Sequence, residues 1–168
     1  MGYQFTTVVV TVLVVAALFA LIRRGWTSRV RRQSGIAPLP ELPAGIEDRE
    51  PLLAVPGMYV STTEAGAPLE RIAARGLGLR ARARVLVLDE GVLYDRRGAP
   101  ALFVPAAQIV SVGTQSGMAG KFVEKDGLAV LTWTLGDTVV DTGFRTQHAE
   151  DKRRFLSAVE AIAPGLRA

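Results

Sequence analysis

Residues 128–146 read LAVLTWTLGDTVVDTGFRT: two runs rich in β-branched and aromatic residues, broken only by Gly136 and Asp137. A two-residue Gly-Asp break between such runs is a hairpin signal, because glycine admits the backbone angles that a tight turn needs. Trp133 and Phe144 are the expected core aromatics. After Thr146 the period changes. Phe155, Leu156, Val159 and Ile162 fall at i, i+1, i+4 and i+7, which is one face of a helix spanning about residues 149–162. Thr146 or Gln147 can cap it, Glu150 and Asp151 lie where the helix dipole favours negative charge, and Pro164 with Gly165 ends it.

Working upstream, the same alternation recurs in shorter pieces. Residues 85–95, VLVLDEGVLYD, form a second hairpin turning at Asp89, Glu90 and Gly91. The RARAR stretch before it puts Arg80, Arg82 and Arg84 on one side of that strand. Pro56 and Gly57 open a first strand, MYVSTTE. Arg96, Arg97 and Gly98 turn into ALFVP, and residues 108–115, QIVSVGTQ, alternate again. The glycine-rich stretch SGMAGK (116–121) reads as a mobile loop. It lacks both the first glycine and the Ser or Thr of a phosphate-binding loop, since Gln115 and Phe122 stand in those places. The fold class expected is α+β, mainly β: about seven antiparallel strands bent into a partly open barrel and capped by one C-terminal helix.

The N-terminal third differs in kind. Residues 5–22, FTTVVVTVLVVAALFALI, are eighteen residues without a charge, and valines surround any helix drawn through them. At 1.5 Å per residue the run spans roughly 27 Å, near the ~30 Å hydrocarbon core of a bilayer. Arg23, Arg24, Arg29, Arg31 and Arg32 follow at once and are membrane-orienting. Positive charge on one side of a span stays cytoplasmic, so the N-terminus is expected outside and the remainder inside. A cleaved signal peptide fits less well, because it needs its charge before the apolar run and a small-residue cleavage site after it. Four prolines between residues 38 and 51, with Gly35 and Gly45, then suggest an extended spacer. The expected division is 1–24 transmembrane anchor, 25–51 basic juxtamembrane segment and proline-rich linker, and 52–168 folded domain. The chain therefore reads as a single-pass protein of the cell membrane, held in the lipid bilayer through residues 5–22.

That strand order with one closing helix resembles the pleckstrin-homology (PH) fold. With the single anchor, the chain is similar to the PH-like single-pass membrane proteins of actinobacteria, and its Arg- and Ala-rich composition agrees. The hairpin VLVLDEGVLYD, the pair LAVLTWTL and DTVVDTGFRT, and the helix DKRRFLSAVEAI carry the likeness over about residues 52–163. The resemblance implies a binding or scaffolding module. In lipid-reading members a basic loop between the first two strands holds phosphates. Here that region carries Arg71, Arg75, Arg80, Arg82 and Arg84, a possible site for an anion or anionic lipid, with a solvated strand face as the plain alternative.

Chemistry that would make an enzyme is thin. There is no cysteine and one histidine, His148, at a helix start, so no metal site and no cofactor is expected. The dense basic cluster abuts the anchor rather than lying on the domain, which argues for lipid contact and against nucleic acid. The function expected is a non-catalytic scaffold tethered to the cytoplasmic membrane face that binds a protein partner. Its alternatives are an anionic-lipid or anion-binding module, and an accessory subunit of a transport or export complex.

Overall fold

Twelve residues, Leu53–Glu64, form β1, the longest strand and the one that joins the two halves of the sheet. The structure, a computed structural model, describes residues 14–15, 36–163 and 165. After β1 come β2 (Ala81–Leu88), β3 (Gly91–Arg96), β4 (Leu102–Pro105) and β5 (Ile109–Gln115). A short ladder of β6 (Gly117–Met118) with β7 (Lys121–Phe122) follows, then β8 (Leu128–Leu135), β9 (Thr138–Thr146) and helix α1 (Ala149–Ile162). Seven strands make one antiparallel sheet in the order β4-β3-β2-β1-β9-β8-β5. Its edges, β4 and β5, do not pair with each other, and α1 packs against β1, β2, β5 and β9. A mainly-β sheet of seven strands capped by a C-terminal helix is the arrangement expected from the strand and helix periodicities.

Strand β1 bends because it serves two partners. Residues 53–59 pair with β2 and residues 57–64 with β9, and the register slips at Val60. The slip is a bulge, which kinks a strand and re-aims its side chains. By ordinary alternation Tyr59 points into the main core and Val60 joins a separate cluster on the opposite face. Pro56 and Gly57 lie inside this strand rather than opening it. At Gly57 a Cβ would stand 2.3 Å from the Arg145 carbonyl oxygen and 2.7 Å from the Phe144 ring. Glycine here is what lets β9 come close enough to pair.

The main core holds Tyr59, Tyr94, Trp133, Phe144 and Phe155, all fully buried. Their rings run in series, with centroids 5.9 Å (Tyr59–Tyr94), 6.0 Å (Tyr94–Phe144) and 6.1 Å (Phe144–Phe155) apart. Phe155 and Val159 are the buried residues of α1, with Leu156 and Ile162 packed beside them, which is the stripe read from the sequence. His148 is the N-cap but makes no side-chain cap bond; the Thr146 hydroxyl donates to its carbonyl at 2.8 Å.

Both outer faces of the sheet are partly covered, and this the alternation did not show. On the first half, Leu88, Leu93 and Phe103 are sealed by Ile46, which is 3 % exposed. On the second half, Val60, Leu128 and Val130 are sealed by Met118, 2 % exposed, on the β6–β7 ladder. The stretch 116–121 is thus a lid on apolar surface and not the free loop its glycines suggested. Ala119 donates to the Pro68 carbonyl at 2.6 Å, and its φ of 54° lets the turn close over that surface.

Residues 36–51, the described part of the proline-rich stretch, also lie against the domain. Ile36 belongs to the main core with Ala37 and Leu39 beside it, and Arg49 pairs with Glu90. Prolines limit this segment to one 3₁₀ turn, Ile46–Asp48, but two isoleucines supply enough apolar area to hold it down. The compact unit runs from Ile36 to Ala168. Among the described residues no helix is long and apolar enough to cross a membrane. The anchor expected over 5–22, apart from the exposed helical pair Val14 and Val15, lies outside them, as do Arg23, Arg24, Arg29, Arg31 and Arg32.

Candidate functional site

The strand register assembles an open groove of about 1190 Å³ on the outer face of the first half-sheet. Val85 and Val87 point inward from β2, so the alternate residues Arg82 and Arg84 point outward. The β1–β2 ladder sets Met58 opposite Arg82 and Pro56 opposite Arg84. Across the next ladder Asp95 faces Arg84, and Arg97 is fastened beside them by its N–H to the Arg82 carbonyl at 2.9 Å. Arg80, Arg82, Arg84 and Arg97 make one wall. The other comes from Arg145 of β9, Lys125 of the loop before β8, and Lys152 of α1.

Charge is sorted sharply. Residues 36–163 carry fourteen basic and sixteen acidic side chains, a net of −2. Yet the groove gathers seven of the basic ones against two carboxylates, Asp95 and Glu124. The Arg84–Asp95 pair is long at 3.8 Å, and both side chains are more than half exposed. Arg145 meets Glu124 at 3.0 Å. Arg80, Arg82, Arg97, Lys125 and Lys152 form no ion pair among the described residues. Arginines two apart on a strand stand roughly 7 Å from one another, which costs about 0.6 kcal/mol per pair in water. A bound anion turns that repulsion into attraction. Glu124 is held below the usual carboxylate range, first by its own backbone N–H and then by the Arg145 guanidinium.

Of the five arginines expected to act together, only Arg80, Arg82 and Arg84 line the groove. Arg71 bridges Thr63 and hydrogen-bonds the Ala119 carbonyl at 3.5 Å, so it sits near the far end of β1, beside the Met118 lid. Thr63 stands five residue steps along β1 from Met58, roughly 17 Å. Arg75 is an exposed residue with φ 54° in a short 3₁₀ turn, also outside the groove. Arg97, Lys125, Arg145 and Lys152 take part unannounced, because four different elements supply them and no local pattern links them.

Buried polar groups elsewhere serve the core. Tyr59 donates to the Leu77 carbonyl at 2.8 Å and exchanges a 2.6 Å bond with Thr62, which meets Thr142 at 2.8 Å; Trp133 donates to Thr142 at 2.9 Å. Burial pushes the Tyr59 hydroxyl up to about 12, although Thr62 and Arg96 oppose the shift, and it pushes Tyr94 up as well. Arg96, 3 % exposed, stacks over Tyr59 at 4.6 Å and donates to Gly76 and Pro100 carbonyls, each at 2.8 Å. It ties the β1–β2 loop to the β3–β4 loop. Desolvation lowers its pKa. His148 is exposed, and among the described residues no three His, Cys, Asp or Glu side chains gather as a metal site.

Residues 36–160 match the family model described as "Bacterial PH domain-like". No curated protein matches the chain. The matched span begins at the buried Ile36 and ends within α1, so it takes in the whole sheet and the strap across it. By fold and by that match, the chain belongs to the bacterial PH domain-like family, whose domains are in general non-catalytic modules that bind proteins or lipids.

Proposed function

We propose that this chain is a membrane-tethered, non-catalytic interaction module whose cationic groove docks an anionic group at the cytoplasmic membrane face. The observation that carries the reading is the groove's excess of five positive charges on a domain that is otherwise net negative. Of the readings open from sequence, a protein-binding scaffold, an accessory subunit and an anion or lipid reader, this favours the last. Guanidinium forks match phosphate and carboxylate oxygens two at a time, and five of the seven cations form no ion pair among the described residues. Tethering is supported by residues 5–22 and the five arginines that follow. Holding the domain at the bilayer raises its effective concentration towards anything else confined there.

The test uses the full-length chain in zwitterionic nanodiscs with and without phosphatidylglycerol, measuring added soluble anion and lipid contact by crosslinking. Contact is expected to need the anionic lipid, to weaken with salt, and to fall in an R82Q/R97Q variant. Contact that ignores salt and both substitutions would overturn the groove reading. Because the chain has no cysteine, G2C and A168C variants report topology directly. An impermeant thiol reagent applied to whole cells is expected to label the first and spare the second.

A further inference from the structure

Glu124 is the carboxylate that reaches into the groove from the loop side, and its position is built. The 124–127 turn closes through the Gly127 N–H to the Glu124 carbonyl at 2.9 Å. Asp126 takes a left-handed φ of 56°, donates its N–H to the Ser116 hydroxyl at 3.0 Å, and accepts from Thr114 at 3.3 Å. Lys152 reaches from α1 to the Asp126 carbonyl. A Cβ on Gly127 would stand 2.8–2.9 Å from the Glu124 side chain, so glycine there leaves the room that Glu124 occupies. Both Glu124 oxygens then meet a single nitrogen of Arg145, Nη2, at 3.0 and 3.2 Å. The other donors of that guanidinium have no partner among the described residues.

From this geometry we infer that Glu124 is an internal competitor for the groove, displaced from Arg145 when a phosphate-class anion binds. The inference rests on the anion-binding reading above. A one-nitrogen contact between two exposed side chains is weak, whereas a phosphate can span two guanidinium nitrogens. A phosphomonoester brings about −1.5 to −2 charge and three acceptor oxygens, against the single charge of the carboxylate it replaces. Lys152 already attracts Glu124, but Arg80, Arg82, Arg84, Arg97 and Lys125 line the same groove without pairing with it, and their attraction is open to an incoming anion. The same chemistry occurs in a lipid headgroup and in a free phosphate.

Calorimetric titration of the full-length chain in zwitterionic detergent separates the possibilities, with pyrophosphate and dihexanoyl phosphatidic acid as probes. E124Q is expected to bind both about 1.5- to 5-fold tighter than the parent, the factor set by losing one exposed ion pair. In an R145Q background the same change is expected to give no gain, while R153Q, outside the groove, behaves as the parent. Tighter binding of phosphatidic acid than of pyrophosphate assigns the source to lipid, and the reverse order to free phosphate. A parent that binds while E124Q binds no tighter, or a gain that persists in R145Q, overturns the competition and leaves the groove reading intact. Failure of parent and E124Q alike to bind either probe removes the groove reading itself.

Discussion

Arg96→Met removes the one buried guanidinium of the described domain while keeping a side chain of similar reach. Arg96 donates two charge-assisted bonds, to Gly76 and Pro100, at 2.8 Å each. Such bonds contribute about 1.5–3 kcal/mol apiece. Against this stands the cost of keeping a charge 3 % exposed, with Nη2 lacking a partner and its pKa lowered by desolvation. The Gly76 carbonyl retains a weak donor, Leu79 N–H at 3.4 Å, so Pro100 is the acceptor left stranded. The net loss is expected to be about 2–4 kcal/mol, or roughly 6–15 °C in Tm for a domain of this size. Arg96→Lys keeps the charge without the planar fork and is expected to fall between the two. Thermal and urea unfolding of the full-length chain by circular dichroism measure this directly. If Arg96→Met unfolds within 0.5 kcal/mol of the parent, desolvation cancels the bonds and the latch between the two loops does not stabilise the fold.

Three further outcomes follow from other parts of the structure. Ile46→Ala should cost about 2 kcal/mol, the low end for a buried isoleucine because its cluster is small; no loss would mean that the 36–51 segment is not docked. Gly143→Val should cost about 1–3 kcal/mol by driving a Cβ to 2.7 Å from the Met118 sulfur, and Met118→Ala in the same chain should recover part of that. Alkaline pH should destabilise the domain. Tyr59 is pushed up to about 12 from 10.0, so the unfolded chain releases its proton first; stability holds below about pH 10 and is lost between 10 and 12, with Tyr94 acting in the same direction. Ultraviolet phenolate absorbance is expected to appear together with unfolding for these two tyrosines, and ionisation well before unfolding would contradict their burial.

The periodic segments were legible from the chain because their partners are close in sequence. LAVLTWTL and DTVVDTGFRT pair in the register their turn dictates, from Leu135 opposite Thr138 back to Ala129 opposite Phe144. The helix stripe of Phe155 and Val159 is likewise local, fixed by the 3.6-residue period. Burial of Trp133 and Phe144 needed only their place in those strands. Other features could not be read this way. Ile46 sits in a proline-rich stretch and Met118 in a glycine-rich one, and neither neighbourhood signals burial. Each is buried because outer sheet faces with Leu93 and Phe103, or Val60 and Val130, stay apolar and need cover.

Sequence by itself determined the class of fold, the C-terminal helix, the apolar N-terminal run with its arginines, and the outward side of β2 carrying Arg82 and Arg84. These are properties of periodicity and composition, which act over a few residues. Only tertiary structure decided which cations share a groove. Arg71 and Arg80 are nine residues apart yet part company, because a bridge to Thr63 carries the first to the other end of β1. Arg97, Arg145 and Lys152 come from three elements and converge, because the register of β1 against both β2 and β9, and the packing of α1, bring them to one face. Electrostatic sites are set by distances through space, and for residues on different strands those distances exist only once the ladders have closed.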